Sequence, residues 1–127
     1  MGRRKRVLIV DDDRDNREAY TEYLRYRGFS VREAASGGSA LRLVRRWPPD
    51  IVVLDMRLPD ASGAETSREI RGIRGAGPTI IALSACVFEG DIALALRSGC
   101  DAFLAKPCLP DLLESEIRRL LQTRAVA

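Results

Sequence analysis

The sequence predicts an α/β protein: one five-stranded parallel sheet, doubly wound, with five helices. Three observations carry that expectation. Short apolar runs such as Val7–Val10, Ile51–Leu54 and Thr79–Leu83 are too brief for helices and rich in β-branched residues, as strands buried on both faces are. The stretches between them show apolar residues at helical spacing and end on Gly or Pro. The joining segments are too short for anything but right-handed crossovers.

Taken in order, Val7–Val10 ends on three acids, Asp11, Asp12 and Asp13. From about Arg14 the pattern turns helical. Ala19, Tyr20, Tyr23 and Leu24 make the apolar stripe, with Arg17, Glu18, Glu22 and Arg25 mostly off it. Asp13 or Asp15 can cap the start and Gly28 can end it. Phe29–Val31 reads as the second strand. Ser36–Ser39 is a turn and cap for a helix that turns Ala40, Leu41 and Val44 inward, and Pro48-Pro49 stops it.

Ile51–Leu54 ends on Asp55, and Pro59-Asp60 followed by Ser62-Gly63 forces a loop. A helix over about Gly63–Arg71 turns Ala64, Ser67 and Ile70 inward. The glycines of Gly72–Gly77 suggest a phosphate loop, but they precede a strand instead of following one, so the segment reads as a connector. Thr79–Leu83 ends at Ser84-Ala85. A helix then runs from about Glu89 to Ser98 and closes at Gly99. Ala102–Ala105 is the fifth strand and ends at Lys106-Pro107. The last helix opens at Pro110-Asp111, turns Leu113, Ile117, Leu120 and Leu121 inward, and is expected to fray after about Gln122. Residues 1–127 read as one domain with its core over about 6–121.

Composition narrows the chemistry. The chain has no His, which excludes His-ligated zinc, Ser-His and Cys-His triads, and a phosphohistidine on this chain. Cys86, Cys100 and Cys108 are odd in number and lack C-x-x-C spacing, which favours reduced thiols. The net charge is +3, and the one local basic cluster, Arg3–Arg6, is a solvated lead-in, so direct nucleic-acid binding is not expected. No apolar run reaches the roughly 20 residues of a membrane span, and the h-region after the basic start is too short for a signal peptide. A cytoplasmic address with no membrane contact is the expectation.

Several strands end in chemistry on one sheet edge: Asp11-Asp12, Asp55, Ser84 and Lys106. These groups converge if the first strand lies beside the third. Clustered carboxylates disfavour one another's ionisation, and a hard divalent cation relieves that cost. Acids, metal, ammonium and hydroxyl in one pocket suit a phosphoryl group.

Val10–Asp13 (VDDD), Asp55 with Met56-Arg57-Leu58-Pro59 and Ser62-Gly63, Leu83-Ser84-Ala85, and Phe103–Pro107 (FLAKP) occur in order and at the spacing of CheY-like receiver domains of two-component response regulators. The chain resembles that family from Arg6 to about Leu121. The resemblance implies a flavodoxin-like strand order 2-1-3-4-5. It implies Asp55 as the phosphoacceptor, Asp12 as a direct Mg²⁺ ligand, Asp11 acting through water, and the Arg57 carbonyl as a further ligand. Lys106 would pair with a phosphoryl oxygen, Ser84 would bind another, and Phe103 would swing inward behind it. The bond before Pro107 would be cis. The implied partners are a sensor histidine kinase or histidine phosphotransfer protein and a downstream effector. Signal would leave by the fourth helix, fifth strand and fifth helix, where Ile92 and Leu94 suggest a docking or homodimer face. Arg57 and Cys86, two places after Asp55 and Ser84, would tune the lifetime of the acyl phosphate, with Arg57 shielding it from water. Asp13 reads as a helix cap.

Two other classes fit the sequence less well. A haloacid-dehalogenase-like phosphatase would need Thr or Val where Asp15 stands, and a cap domain besides. A pseudo-receiver that never takes phosphate fits poorly with the intact acid set.

Overall fold

The apolar runs become strands because neighbouring residues must turn to opposite faces, and both faces are covered. The structure, a computed structural model, describes residues 3–73, 77–85 and 88–126, with side chains to residue 123. Its elements are β1 (Arg6–Val10), α1 (Arg14–Tyr26), β2 (Ser30–Ala34), α2 (Gly37–Arg46), β3 (Ile51–Asp55), α3 (Gly63–Arg71), β4 (Thr79–Ser84), α4 (Glu89–Arg97), β5 (Ala102–Ala105) and α5 (Pro110–Val126). All strand pairs are parallel, in the order β2-β1-β3-β4-β5.

Successive strand residues sort into two cores, as period-two geometry requires. Val7, Ile9, Ile51 and Val53 pack with Tyr20 and Leu24 of α1 and Leu113, Ile117 and Leu120 of α5. Leu8, Val10, Val52 and Leu54 pack on the other face with Ala40 and Val44 of α2, Ile70 of α3 and Ala95 of α4.

The ends of the helices follow local chemistry. Asp13 caps α1, its side chain accepting from the backbone N–H groups of Asp15 and Asn16. Gly28, just past α1, has φ +99°, a conformation that other residues rarely adopt. Ser36 caps α2 and Ser62 caps α3.

Four details differ from the sequence reading. The second strand covers Ser30–Ala34, not Phe29–Val31. Arg32 and Glu33 hide its periodicity, yet five residues pair with β1, and Phe29 packs in the core. On α1 the buried residues are Tyr20, Thr21 and Leu24, while Ala19 is exposed. A methyl group contributes too little apolar surface to set the orientation of a helix. Leu41 and Leu121 are only partly buried, at the margins of the two cores. Helix α5 continues past Gln122 to Val126, with Thr123 Oγ1 donating back to the Arg119 carbonyl at 3.0 Å. The middle of the Gly72–Gly77 connector, and Cys86, lie outside the described residues. Cys100 and Cys108 are free thiols.

The α1–α5 seam is held by Glu114. Its carboxylate accepts from Arg27 Nε at 3.0 Å, Arg118 Nε at 2.9 Å and the Tyr23 hydroxyl at 2.9 Å. Burial pushes this carboxyl up, but the bonds from Arg118, Arg27 and Tyr23 outweigh it and hold the group below its ordinary value. A carboxyl depressed by folding adds stability above its unfolded value, near pH 4.3, and loses it as pH falls through the folded value. Urea denaturation should therefore show Glu114→Gln lowering stability at pH 7, with the deficit shrinking towards pH 3.

Two glycines should respond in opposite directions. A Cβ on Gly63 would lie 2.5 Å from Met56 Cα and 2.6 Å from the Asp55 carbonyl, so Gly63→Ala should destabilise by about 1–3 kcal/mol. Gly90, in the first turn of α4, has nothing within 4 Å of its Cβ position, and Gly90→Ala should stabilise by about 0.4–1 kcal/mol in the same assay.

Candidate functional site

The sheet register decides which side chains meet. Val10 of β1 pairs with Leu54 of β3, so the next residues, Asp11 and Asp55, leave the sheet side by side. Asp55 pairs with Leu83, which puts Ser84 one step further along β4. Ser84 in turn pairs with Ala105, which puts Lys106 one step beyond β5. The Lys106 N–H donates to the Ser84 carbonyl at 2.9 Å, and the Lys106–Pro107 bond is cis. Lys106 starts two strands away from Asp55, and its long stem closes the gap.

The two buried acids are held in the same way. Asp11 Oδ1 accepts from the Asp13 N–H at 2.9 Å, and Asp55 Oδ1 accepts from the Arg57 N–H at 2.9 Å. Each carboxylate is thus oriented by an amide two residues on, as Asp does in tight turns. The second oxygens converge on one ammonium: Lys106 Nζ lies 2.8 Å from Asp55 Oδ2 and 3.3 Å from Asp11 Oδ2. Asp11 is 2% exposed and Asp55 7%.

Burial pushes the Asp11 carboxyl above its ordinary value. The Asp13 amide and the Lys106 charge oppose that rise, while the Asp55 charge adds to it. For Lys106, burial works against the ammonium, but its hydrogen bond to Asp55 and the charges of Asp55 and Asp11 prevail and hold it above its ordinary value.

Asp12 is exposed and completes an acidic cluster in which oxygens of Asp11, Asp12 and Asp55 lie within 4.8 Å of one another. This all-oxygen donor set, part buried and part open, fits a hard divalent cation that keeps several waters. The cluster faces an open pocket of about 330 Å³ lined by Asp12, Asp55, Arg57, Leu58, Pro59 and Lys106. A cavity of about 130 Å³ lies on the α4 side, lined by Met56, Arg57, Ser84, Asp91, Leu94 and Phe103. Ser84 is buried and Phe103 half-buried, packed against the core that α2, α3 and α4 cover. Arg57 is exposed and borders both spaces. On α4, Ala95 is buried, Ile92 half-buried, and Leu94 and Leu96 are 38% and 49% exposed.

The chain has relatives among known proteins. The family described as response regulator receiver domain matches residues 7–118. The chain belongs to that family. The receiver is 37% identical over 119 residues to the DNA-binding response regulator MtrA of Mycobacterium tuberculosis, covering 94% of this chain and 51% of that protein. It is 37% identical over 116 residues to the transcriptional regulatory protein AfsQ1 of Streptomyces coelicolor, covering 91% of this chain and 51% of that one. The receiver thus spans about half the length of these relatives. In solved structures, it superposes on a CheY-like receiver domain protein from Methanospirillum hungatei with a TM-score of 0.87 at 29% identity, over 98% of this chain and 99% of that one. A LuxR-family two-component response regulator from Aurantimonas gives 0.86 at 34% identity, over 94% and 86%.

Two residues next to the site carry more than the sequence suggested. Arg17 lies off the apolar stripe, yet its Nη1 donates to the Asp11 carbonyl at 2.8 Å while its Nε pairs with Glu33 at 2.9 Å. Asp60, read only as a turn former, reaches the start of α2. Both contacts cross between elements that no local pattern links.

The opposing effects on Asp11 can be separated. In chelator-treated buffer, the carboxyl carbon of Asp11 should titrate above an ordinary Asp by NMR, and Lys106→Met should raise its midpoint further by removing the ammonium that lowers it. An unchanged midpoint would mean that the pairing across the pocket is not made in solution.

Proposed function

We propose that this receiver takes a phosphoryl group from a partner's phosphohistidine onto Asp55 and so switches the binding of other proteins. The observation that carries the reading is the convergence of Lys106 Nζ on Asp55 Oδ2 at 2.8 Å and Asp11 Oδ2 at 3.3 Å beside the open acidic pocket. In this reading an Asp55 carboxylate oxygen forms the new O–P bond, the N–P bond to the donor imidazole breaks, and that nitrogen leaves with its electron pair. Lys106 offers its ammonium to a phosphoryl oxygen. Asp12, Asp11 through water, Asp55 and the Arg57 carbonyl would hold Mg²⁺, which when bound supplies positive charge to the phosphoryl oxygens. The domain assists its own phosphorylation and dephosphorylation, and it turns over no separate substrate.

Ser84 and Phe103 are read as the switch. The cavity of about 130 Å³ beside them supports this, because it offers space next to a half-buried ring. Residues of about 6–121 act as one receiver unit. The donor is a sensor histidine kinase or histidine phosphotransfer protein in the cytoplasm. The output face is α4, β5 and α5, where half-buried Ile92 and exposed Leu94 would help dock an effector or a second copy. The receiver itself contacts neither DNA nor membrane in this reading, and among the described residues no helix is long and apolar enough to cross a membrane.

Labelling with acetyl phosphate and Mg²⁺, followed by mapping of the modified residue, should find Asp55 alone, and Asp55→Asn should abolish the label. Modification at Asp11 would favour phosphatase-like chemistry, and no modification with either acetyl phosphate or beryllofluoride would leave a pure binding module. Phosphotransfer profiling against the sensor kinases of the source cell would name the donor.

Arg57→Ala should shorten the half-life of the acyl phosphate, since Arg57 stands at the pocket mouth where water arrives. An unchanged half-life would remove the shielding role.

A further inference from the structure

The loop that leaves β3 is fastened at its far end by a contact outside the pocket. Asp60 Oδ1 accepts from the Gly37 N–H at 2.8 Å and Asp60 Oδ2 from the Gly38 N–H at 3.0 Å. Those amides are the first two of α2, and the third, Ser39 N–H, goes to the Ser36 hydroxyl at 3.1 Å. The opening turn of a helix leaves such donors without intrahelical partners, and they favour an anion. Amides of Gly38 and Gly37 hold the Asp60 carboxyl below its ordinary value. The absent side chain of Gly37 lets the start of α2 pack closely against α3. A Cβ on Gly37 would lie 2.7 Å from Thr66 Oγ1, and one on Gly38 would lie 3.4 Å from Asp60 Oδ2.

The same loop forms the pocket wall. Arg57 N–H is tied to Asp55 Oδ1, Leu58 and Pro59 line the pocket, and Asp60 follows directly. Pro59 has a fixed φ, which removes one of the backbone rotations between Asp60 and Arg57. We propose that Asp60 is a positioning residue for the phosphoryl site: by clasping the N-terminus of α2, it holds the Arg57 main chain where the divalent cation binds. This rests on the reading of Asp55 as phosphoacceptor and of the Arg57 carbonyl as a metal ligand. The α2 N-terminus thereby becomes an outer support of the pocket, though none of its residues faces it.

Asp101 provides a matched control. It is also a loop-tying carboxylate, accepting from the Ile80 N–H at 2.7 Å and pairing with Arg71 at 2.6 Å, and it lies after α4 at the other end of the strands. The experiment compares wild type, Asp60→Ala, Asp60→Asn and Asp101→Ala by thermal unfolding, Mg²⁺ calorimetry, and the rate of labelling by acetyl phosphate across a Mg²⁺ series. Asp60→Ala should weaken Mg²⁺ binding by about three- to tenfold, at or just below the lower end of what ligand-orienting partners contribute, because Asp60 acts through the loop and not on a ligand directly. Its labelling rate should fall at low Mg²⁺ and recover at saturation. Asp60→Asn, which keeps one acceptor oxygen, should fall between Asp60→Ala and wild type. Asp101→Ala should lower the melting temperature and leave Mg²⁺ affinity unchanged. If wild type takes the label while Asp60→Ala and Asp60→Asn bind Mg²⁺ like wild type, the positioning role is overturned and the acceptor reading stands. Equal Mg²⁺ losses in Asp60→Ala and Asp101→Ala would also overturn it, as a general loss of stability. A wild type that takes neither Mg²⁺ nor label would sink the acceptor reading and this inference with it.

Discussion

Two buried carboxylates share one ammonium, and the rest of the site is arranged around that shortage of positive charge. Asp11 and Asp55 sit at adjacent strand ends because β1 pairs with β3. Each gives one oxygen to a backbone amide and turns the other towards Lys106. One cation between two anions leaves the cluster short by a charge, and Asp12 at the rim adds another negative charge. Burial raises the cost of leaving this uncompensated, and it pushes the Asp11 carboxyl up, with the Asp55 charge adding to the rise. A site held in that condition has an electrostatic reason to take up a divalent cation.

Such a cluster persists only if the surrounding scaffold is rigid. The β1–α1 turn is held from behind by Arg17, which bonds the Asp11 carbonyl and pairs with Glu33 on β2. The β3–α3 loop is held by the Asp55–Arg57 turn, by the Gly63 N–H on the Met56 carbonyl at 3.0 Å, and by Asp60 on α2. Lys106 is set by its own N–H on Ser84. The segments carrying Asp11 and Asp55 are therefore each hydrogen-bonded on a side away from the pocket, which is the arrangement that makes a site precise.

The two faces of the sheet divide the work. The α1–α5 side is closed by a continuous apolar cluster and by Glu114 with its two arginines and a tyrosine. The α4 side is looser. Only Ala95 of α4 is buried, the cavity lies beneath that helix, and β5 is an edge strand with no fully buried residue. A displacement of Ser84 and Phe103 would be felt on this side, where α4 buries a single residue.

The sequence by itself determined the element order, the sheet type and the identity of the pocket residues. Runs such as Ile51–Leu54 are β-branched and too short to be anything but buried strands, and parallel strands all open their carboxyl ends on one side. The Asp13 cap and the Gly28 stop were legible because they depend on neighbours within a few residues. Weak local patterns carry less. The polar face of edge strand β2 conceals its length, and Ala19 falls on the apolar stripe of α1 yet is exposed. Only the tertiary structure decided how far Lys106 reaches, which of its acids it favours, and that Arg17, Asp60 and Glu114 tie separate elements together. Those contacts join residues from 6 to 95 positions apart, and none follows from hydrophobic period or turn chemistry. Local rules specify what a segment becomes, whereas partners across segments exist only once the sheet order and register have set them side by side.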